Sequence, residues 1–118
     1  MKIVVYESEY KARAWIDELH SSLPSATISS YSDRAMQAAD YFICNNPHAS
    51  ICNRAFDIRA VFFLSAGINY YSSLKDTYSC QLLTDVPCYR LEDAGMAEQM
   101  MDYATYATLK FYRRFDQY

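Results

Sequence analysis

Short apolar runs separated by helix-spaced segments constrain this chain more than any other feature. Residues 61–64 read Val-Phe-Phe-Leu, a continuous apolar run of the kind found in parallel strands covered on both faces. Ser65, Ala66 and Gly67 then end the run with small residues, and a helix start follows at residues 68–74. The same strand-then-helix grammar recurs along the chain. Residues 2–6 form a strand, and residues 10–19 place Ala12, Trp15, Ile16 and Leu19 on one helical face. Residues 26–31 form a shorter, more polar strand suited to an edge. Ser32 and Asp33 cap a short helix through residue 38. Residues 40–44 form a third strand, and residues 49–56 give a helical turn or two. Residues 75–85 read as an irregular loop, and Pro87 sets up a fifth strand at residues 88–91. Strands that alternate with helices this way pair in parallel through crossovers. The expectation is an α/β, flavodoxin-like fold: a five-stranded parallel sheet with helices on both faces, followed by one long C-terminal helix.

That last helix runs from Met96 to about Phe115. Met100, Tyr103, Ala104, Ala107, Phe111 and Phe115 form a stripe. Met101, Thr108, Leu109 and Tyr112 widen it beyond an ordinary amphipathic face. Asp93 or Gly95 caps its start, and Arg113 and Arg114 complement its C-terminal dipole.

The totals exclude several classes. At 118 residues and a net charge of −3 the chain is one acidic domain, not a nucleic-acid groove. No apolar run reaches membrane-span length, and residues 1–6 read as a strand, not a leader, so a cytoplasmic protein is expected. Cysteines 44, 52, 80 and 88 form no C-x-x-C, and neither His20 nor His48 completes a zinc spacing, so reduced structural thiols and no metal are expected. Cys44 and Cys88 fall at strands, as small buried hydrophobes do. Twelve tyrosines are more than a small core can hold with every hydroxyl satisfied, so several belong on the surface.

Chemistry is best placed where parallel strands end. The turn Ser65-Ala66-Gly67 before a helix offers successive backbone N–H groups to a carboxylate or phosphate. Arg90, Glu92 and Asp93 cluster after the fifth strand, either as an acid–base pair or, more simply, as helix caps with a surface ion pair. His20 sits late in a helix as a dipole partner. His48 lies in the turn after the third strand, the better position for a base, with no nucleophile tied to it. There is no G-x-G-x-x-G and no P-loop. The segment Glu7-Ser8-Glu9-Tyr10 is not the hydroxyl-rich loop of a flavin-binding flavodoxin, and Asn45 stands where a phospho-acceptor receiver domain needs Asp.

Two stretches carry a resemblance. Phe62-Phe-Leu-Ser-Ala-Gly-Ile-Asn69 is similar to the F-x-L-G-A-G-V-D segment of D-2-hydroxyacid dehydrogenases. Arg90-Leu-Glu-Asp-Ala-Gly-Met-Ala-Glu-Gln-Met100, with Tyr103-Ala104 and Phe111-Tyr-Arg-Arg-Phe-Asp116, resembles the glyoxylate/hydroxypyruvate reductase A branch. Ala39-Asp40-Tyr41 and Pro47 fit the same pattern, so the likeness spans essentially the whole chain. It implies a substrate-binding domain at residues 1–95 and an inter-domain and dimerisation helix at residues 96–118. The Rossmann nucleotide domain, with its catalytic Arg, acid and His, is not represented, so no catalytic residue is expected in this chain.

By the same resemblance, the backbone at Leu64, Ser65, Ala66 and Gly67 would bind the carboxylate of a 2-oxo acid, glyoxylate or hydroxypyruvate. Asn45, Asn46 and Arg90 would form the pocket rim. Met96, Met100, Tyr103, Ala107 and Phe111 would mark the hinge and homodimer helix. NAD(P)H is implied for the full-length family and not for this chain alone. Ser65 replaces the family's usual Gly, Asn69 its usual Asp, and Asn45-Asn46-Pro47 stands where the branch often has a pocket-shaping Trp. The competing expectation is a non-enzymatic module that dimerises or binds a small carboxylate.

Overall fold

A computed structural model describes residues 1–67, 69–78 and 80–114. Five strands, β1 (Lys2–Tyr6), β2 (Thr27–Ser30), β3 (Tyr41–Cys44), β4 (Ala60–Phe63) and β5 (Cys88–Arg90), form one sheet in the order β2-β1-β3-β4-β5. Every pairing is parallel, with Val4 level with Ser29 and Phe42, and Phe42 level with Val61. This is the flavodoxin-like order expected from the alternation, with the more polar β2 at an edge.

The helices divide unequally between the two faces. α2 (Asp33–Gln37), α3 (Ala49–Cys52), α4 (Asn69–Tyr78) and α5 (Gln81–Asp85) cover one face. There Val4, Phe42, Val61 and Phe63 pack with Met36, Ile51, Leu74 and Leu82. α1 (Glu9–Ser22) covers only β1 and β2 on the other face, where Ile3, Val5, Ala26 and Ile28 enclose Ala12. Local sequence explains the starts. Ser32 Oγ accepts the Ala35 N–H at 3.1 Å and caps α2, and His48 Nδ1 accepts the Ser50 N–H at 3.2 Å and caps α3. Ser8 occupies the N-cap position of α1 without a side-chain bond.

Three expectations need correction. Residues 75–85 are largely helical: α4 continues to Tyr78, and α5 follows. Buried Leu74, Cys80 and Leu82 hold these short helices in place, a tertiary effect that outweighs their middling local propensity. β4 is not covered on both faces. Val61 is fully buried, whereas Phe62 remains 39% exposed, because no helix among the described residues covers it on the α1 side. Cys88 is exposed for a related reason, since β5 is an edge strand whose three residues are all exposed.

The thiols give a simple check of this architecture. Cys44, Cys52 and Cys80 are buried, and Cys88 is exposed. Burial pushes the Cys44 thiol far up, and burial with the neighbouring Cys80 thiol pushes Cys52 up to about 12. A thiol reagent at mildly alkaline pH is therefore expected to modify one cysteine, Cys88, in the folded chain and the other three only at the rate of opening. Burst labelling at Cys44 or Cys52, read by peptide mass, would show that the core is not closed.

The long helix α6 (Met96–Arg113) starts as expected and buries no residue. Phe115, the last member of its sequence stripe, and Ile68, the expected start of α4, lie outside the described residues. Gly95 precedes α6 at φ 82°, a left-handed conformation that glycine adopts without steric cost, and its N–H donates to Asp93 Oδ1 at 2.9 Å. This turn sends α6 away from the sheet. The radius of gyration is 18.5 Å, against about 13.5 Å for a compact domain of this length.

Candidate functional site

The C-terminal ends of β1, β3, β4 and β5 make a polar crest. Glu7 follows β1, Asn45 and Asn46 follow β3, Ser65 to Gly67 follow β4, and Arg90 ends β5. Asn45 Nδ2 donates to Glu7 Oε2 at 2.7 Å, bridging two neighbouring strand ends. Burial pushes the Glu7 carboxyl up, but the Ser8 N–H, the Asn45 amide and the Lys11 charge outweigh it and hold its pKa low. Asn46 takes φ 46°, a left-handed conformation that asparagine tolerates better than most residues.

Tyr71, on α4, reaches the middle of the crest. Its ring stacks on Phe63 with centroids 3.6 Å apart. Its hydroxyl lies 3.4 Å from Ser65 Oγ. Burial is the main reason its pKa is raised, so the phenol stays protonated at neutral pH. Ser65 Oγ also donates to the Gly67 carbonyl at 3.3 Å, so the hydroxyl folds into its own turn.

The β4 turn differs in one respect from the sequence expectation. The Leu64 N–H donates to the Cys44 carbonyl at 3.0 Å and so continues the sheet ladder. Among the described residues, the amides of Ser65, Ala66 and Gly67 have no partner within the chain. They precede α4, whose N-terminal dipole favours an anion. A Cβ on Gly67 would meet nothing within 4 Å, so the chain leaves open space there.

Arg90 is the cation of this region. Its Nη1 donates to the Ala66 carbonyl at 3.5 Å, and its Nε lies 4.0 Å from Glu92 Oε1. It lines a hollow of about 710 Å³ with Phe63, Tyr89, Leu91, Glu92 and Asp93. The structure thus joins Arg90 to the β4 turn. Asn45 pairs with Glu7 instead, on the other side of β4, and does not line this hollow. His48 is occupied in capping α3, with Nδ1 2.8 Å from Ser50 Oγ.

Sequence reasoning missed Glu7 and Tyr71 as members of the crest. The pairing of Glu7 with Asn45 follows once β1 and β3 are neighbours, so strand order combined with position was the available signal. A second polar cluster lies off the crest. Tyr31 donates to Asp33 Oδ1 at 2.8 Å, and Arg54 pairs with the same oxygen, tying α2 to the end of α3. Among the described residues, no group of three or more His, Cys, Asp or Glu side chains is placed to hold a metal ion. Nor is any helix among them long and apolar enough to cross a membrane.

No protein-family model matches the chain. The glyoxylate/hydroxypyruvate reductase A of Serratia proteamaculans is 35% identical to it over 119 residues, covering 100% of the chain. The chain is thus similar along its whole length to one part of that reductase. It spans 38% of that relative's length. Within the matched part lie the parallel sheet and the long helix, and the β4 turn and Arg90 meet at the strand ends.

Proposed function

We propose that residues 1–95 are a substrate-binding domain of a D-2-hydroxyacid dehydrogenase of the glyoxylate/hydroxypyruvate reductase type, and that residues 96–118 carry its inter-domain helix. The observation that carries this reading is the β4 turn, where the Ser65, Ala66 and Gly67 amides have no partner among the described residues and the Ala66 carbonyl accepts from Arg90. A planar carboxylate has two oxygens to share between such donors. The ligand is a small 2-oxo acid such as glyoxylate or hydroxypyruvate, held by the amides and screened by Arg90. Catalysis itself is assigned to residues beyond this chain, so the isolated chain is expected to be inactive.

The residues present do not fit a nicotinamide dinucleotide. β1 runs into Glu7-Ser8-Glu9 without a glycine, and Glu9 places a negative charge in the first turn of α1. A pyrophosphate at that helix start would meet repulsion where it needs close backbone approach. NAD(P)H therefore belongs, in this reading, to the nucleotide domain that the family resemblance implies. A reducing cytoplasmic setting is part of the same reading, since no disulfide joins the four cysteines among the described residues.

The test is a titration of the isotope-labelled chain with glyoxylate and with oxalate, followed by amide NMR. The expected result is saturable shifts at Ser65, Ala66 and Gly67, with smaller shifts at Arg90. Absence of shifts at millimolar ligand would overturn the reading. A second reading, a non-enzymatic dimerising or carboxylate-binding module, draws support from Ser65 folding its hydroxyl onto Gly67 and from the bare α6. Binding without turnover after a nucleotide domain from a relative is supplied would favour it.

A further inference from the structure

The turn after β4 contains a group able to compete with an anionic ligand for the turn's own amides. Ser65 is its first residue, and a serine hydroxyl readily accepts the N–H two residues on, here that of Gly67. A hydroxyl used that way would occupy one of the three amides that have no partner among the described residues. The structure shows the opposite arrangement. Ser65 Oγ faces the Gly67 carbonyl at 3.3 Å and the Tyr71 hydroxyl at 3.4 Å. A serine has a single O–H proton. With that proton given to the Gly67 carbonyl, Oγ is the acceptor toward Tyr71, and the phenol O–H is the donor. The phenol keeps its proton at neutral pH, since burial raises its pKa. Tyr71 is itself held in place. It is only 5% exposed, and its ring stacks on Phe63 of β4, the strand that runs into the turn.

We propose that Tyr71 is a positioning residue for the carboxylate site: its hydroxyl holds the Ser65 side chain down and so keeps the Gly67 amide free for the ligand. The inference rests on the carboxylate reading above and adds to it a residue that does not touch the ligand. Two observations favour this role over that of an ordinary core tyrosine. The ring alone meets the packing requirement, because stacking on Phe63 and contact with the main core cluster need no hydroxyl. The hydroxyl, in turn, is directed at the one polar side chain of the turn, since Ala66 and Gly67 have none. Ser65 is thus the only side chain of the three that can reach back to the turn's amides, and it is the one that Tyr71 engages.

Tyr71→Phe removes the hydroxyl and keeps the ring. Amide hydrogen exchange in the ligand-free chain reads the turn directly. In the parent, the Gly67 amide is expected to exchange as an open amide does. In Tyr71→Phe the released Ser65 hydroxyl turns onto that amide, and its exchange is expected to slow by about 2–10-fold, the worth of one neutral hydrogen bond. Oxalate affinity, followed by amide NMR, is expected to fall by a similar factor of about 2–10. A Ser65→Ala background has no hydroxyl to release, so there Tyr71→Phe should change neither quantity. This cycle separates positioning from packing, because a packing loss persists whether or not Ser65 keeps its hydroxyl. Unchanged Gly67 exchange in Tyr71→Phe overturns the proposal, as does unchanged affinity in a chain that binds oxalate. So does an equal effect in the Ser65→Ala background, or a Tyr71→Phe chain that loses its native amide dispersion, which would make the hydroxyl a requirement of the core. A parent chain that binds no oxalate refutes the proposed function instead, and the exchange comparison then decides by itself whether Tyr71 holds Ser65 off the Gly67 amide.

Discussion

Replacing Phe42 with alanine is expected to lower the unfolding free energy by about 3–5 kcal/mol. Phe42 sits on the central strand β3, is fully buried, and packs within the main core cluster against the paired rings of Tyr6 and Tyr31. Its removal leaves a cavity among Val4, Met36 and Val61, which are themselves held by strands and a helix and have little room to relax. Marginal stability makes a loss of this size a large share of the total, so the variant is expected to be close to unfolded at physiological temperature. Phe62→Ala provides the contrast. It removes the same side chain one strand away, but from a ring already 39% exposed, so a loss of about 1 kcal/mol is expected. Urea denaturation followed by circular dichroism measures both. Equal losses would mean that the face over β4 and β5 is covered in solution, and a small loss for Phe42 would mean that the core is not packed as described.

The two phenylalanines also show what the sequence could and could not convey. The run at residues 61–64 marks a buried strand, and alternation along the chain yields the parallel order. Neither signal says which stretch of each face receives a helix. The described helices leave Phe62 and Tyr89 exposed on β4 and β5, and nothing in the apolar run marks this. The helices within residues 75–85 were unreadable for a different reason. They are short, and Leu74, Cys80 and Leu82 stabilise them by packing under the sheet, a contribution absent from local propensity. At the crest, Ser65 to Gly67 and Arg90 were legible because small residues and a cation stand at strand ends. Glu7 and Asn45 lie 38 residues apart, and only the adjacency of β1 and β3 brings them together. Tyr71 was hidden in an ordinary helix, since its ring stacking on Phe63 has no sequence signature.

In the small-carboxylate reading, Arg90→Ala is expected to weaken oxalate binding by about 10–100-fold, the loss of one charged hydrogen bond. The side chain is partly exposed and holds only a long contact to the Ala66 carbonyl, so stability should hardly change. Arg90→Lys keeps the charge but not the planar fork, and should recover part of the affinity. Glu92 acts in the opposite direction. Its carboxylate stands 4.0 Å from the guanidinium and competes with an anionic ligand for the same cation. Glu92→Gln should therefore raise oxalate affinity by up to about fivefold, the worth of an exposed ion pair. The two signs together are diagnostic. Affinity that is indifferent to Arg90 would assign binding to the Ser65–Gly67 amides alone. A decrease in Glu92→Gln would mean that Glu92 orients Arg90 instead of competing for it. Calorimetry at two salt concentrations would settle which holds, because screening erodes a competing charge more than an orienting hydrogen bond.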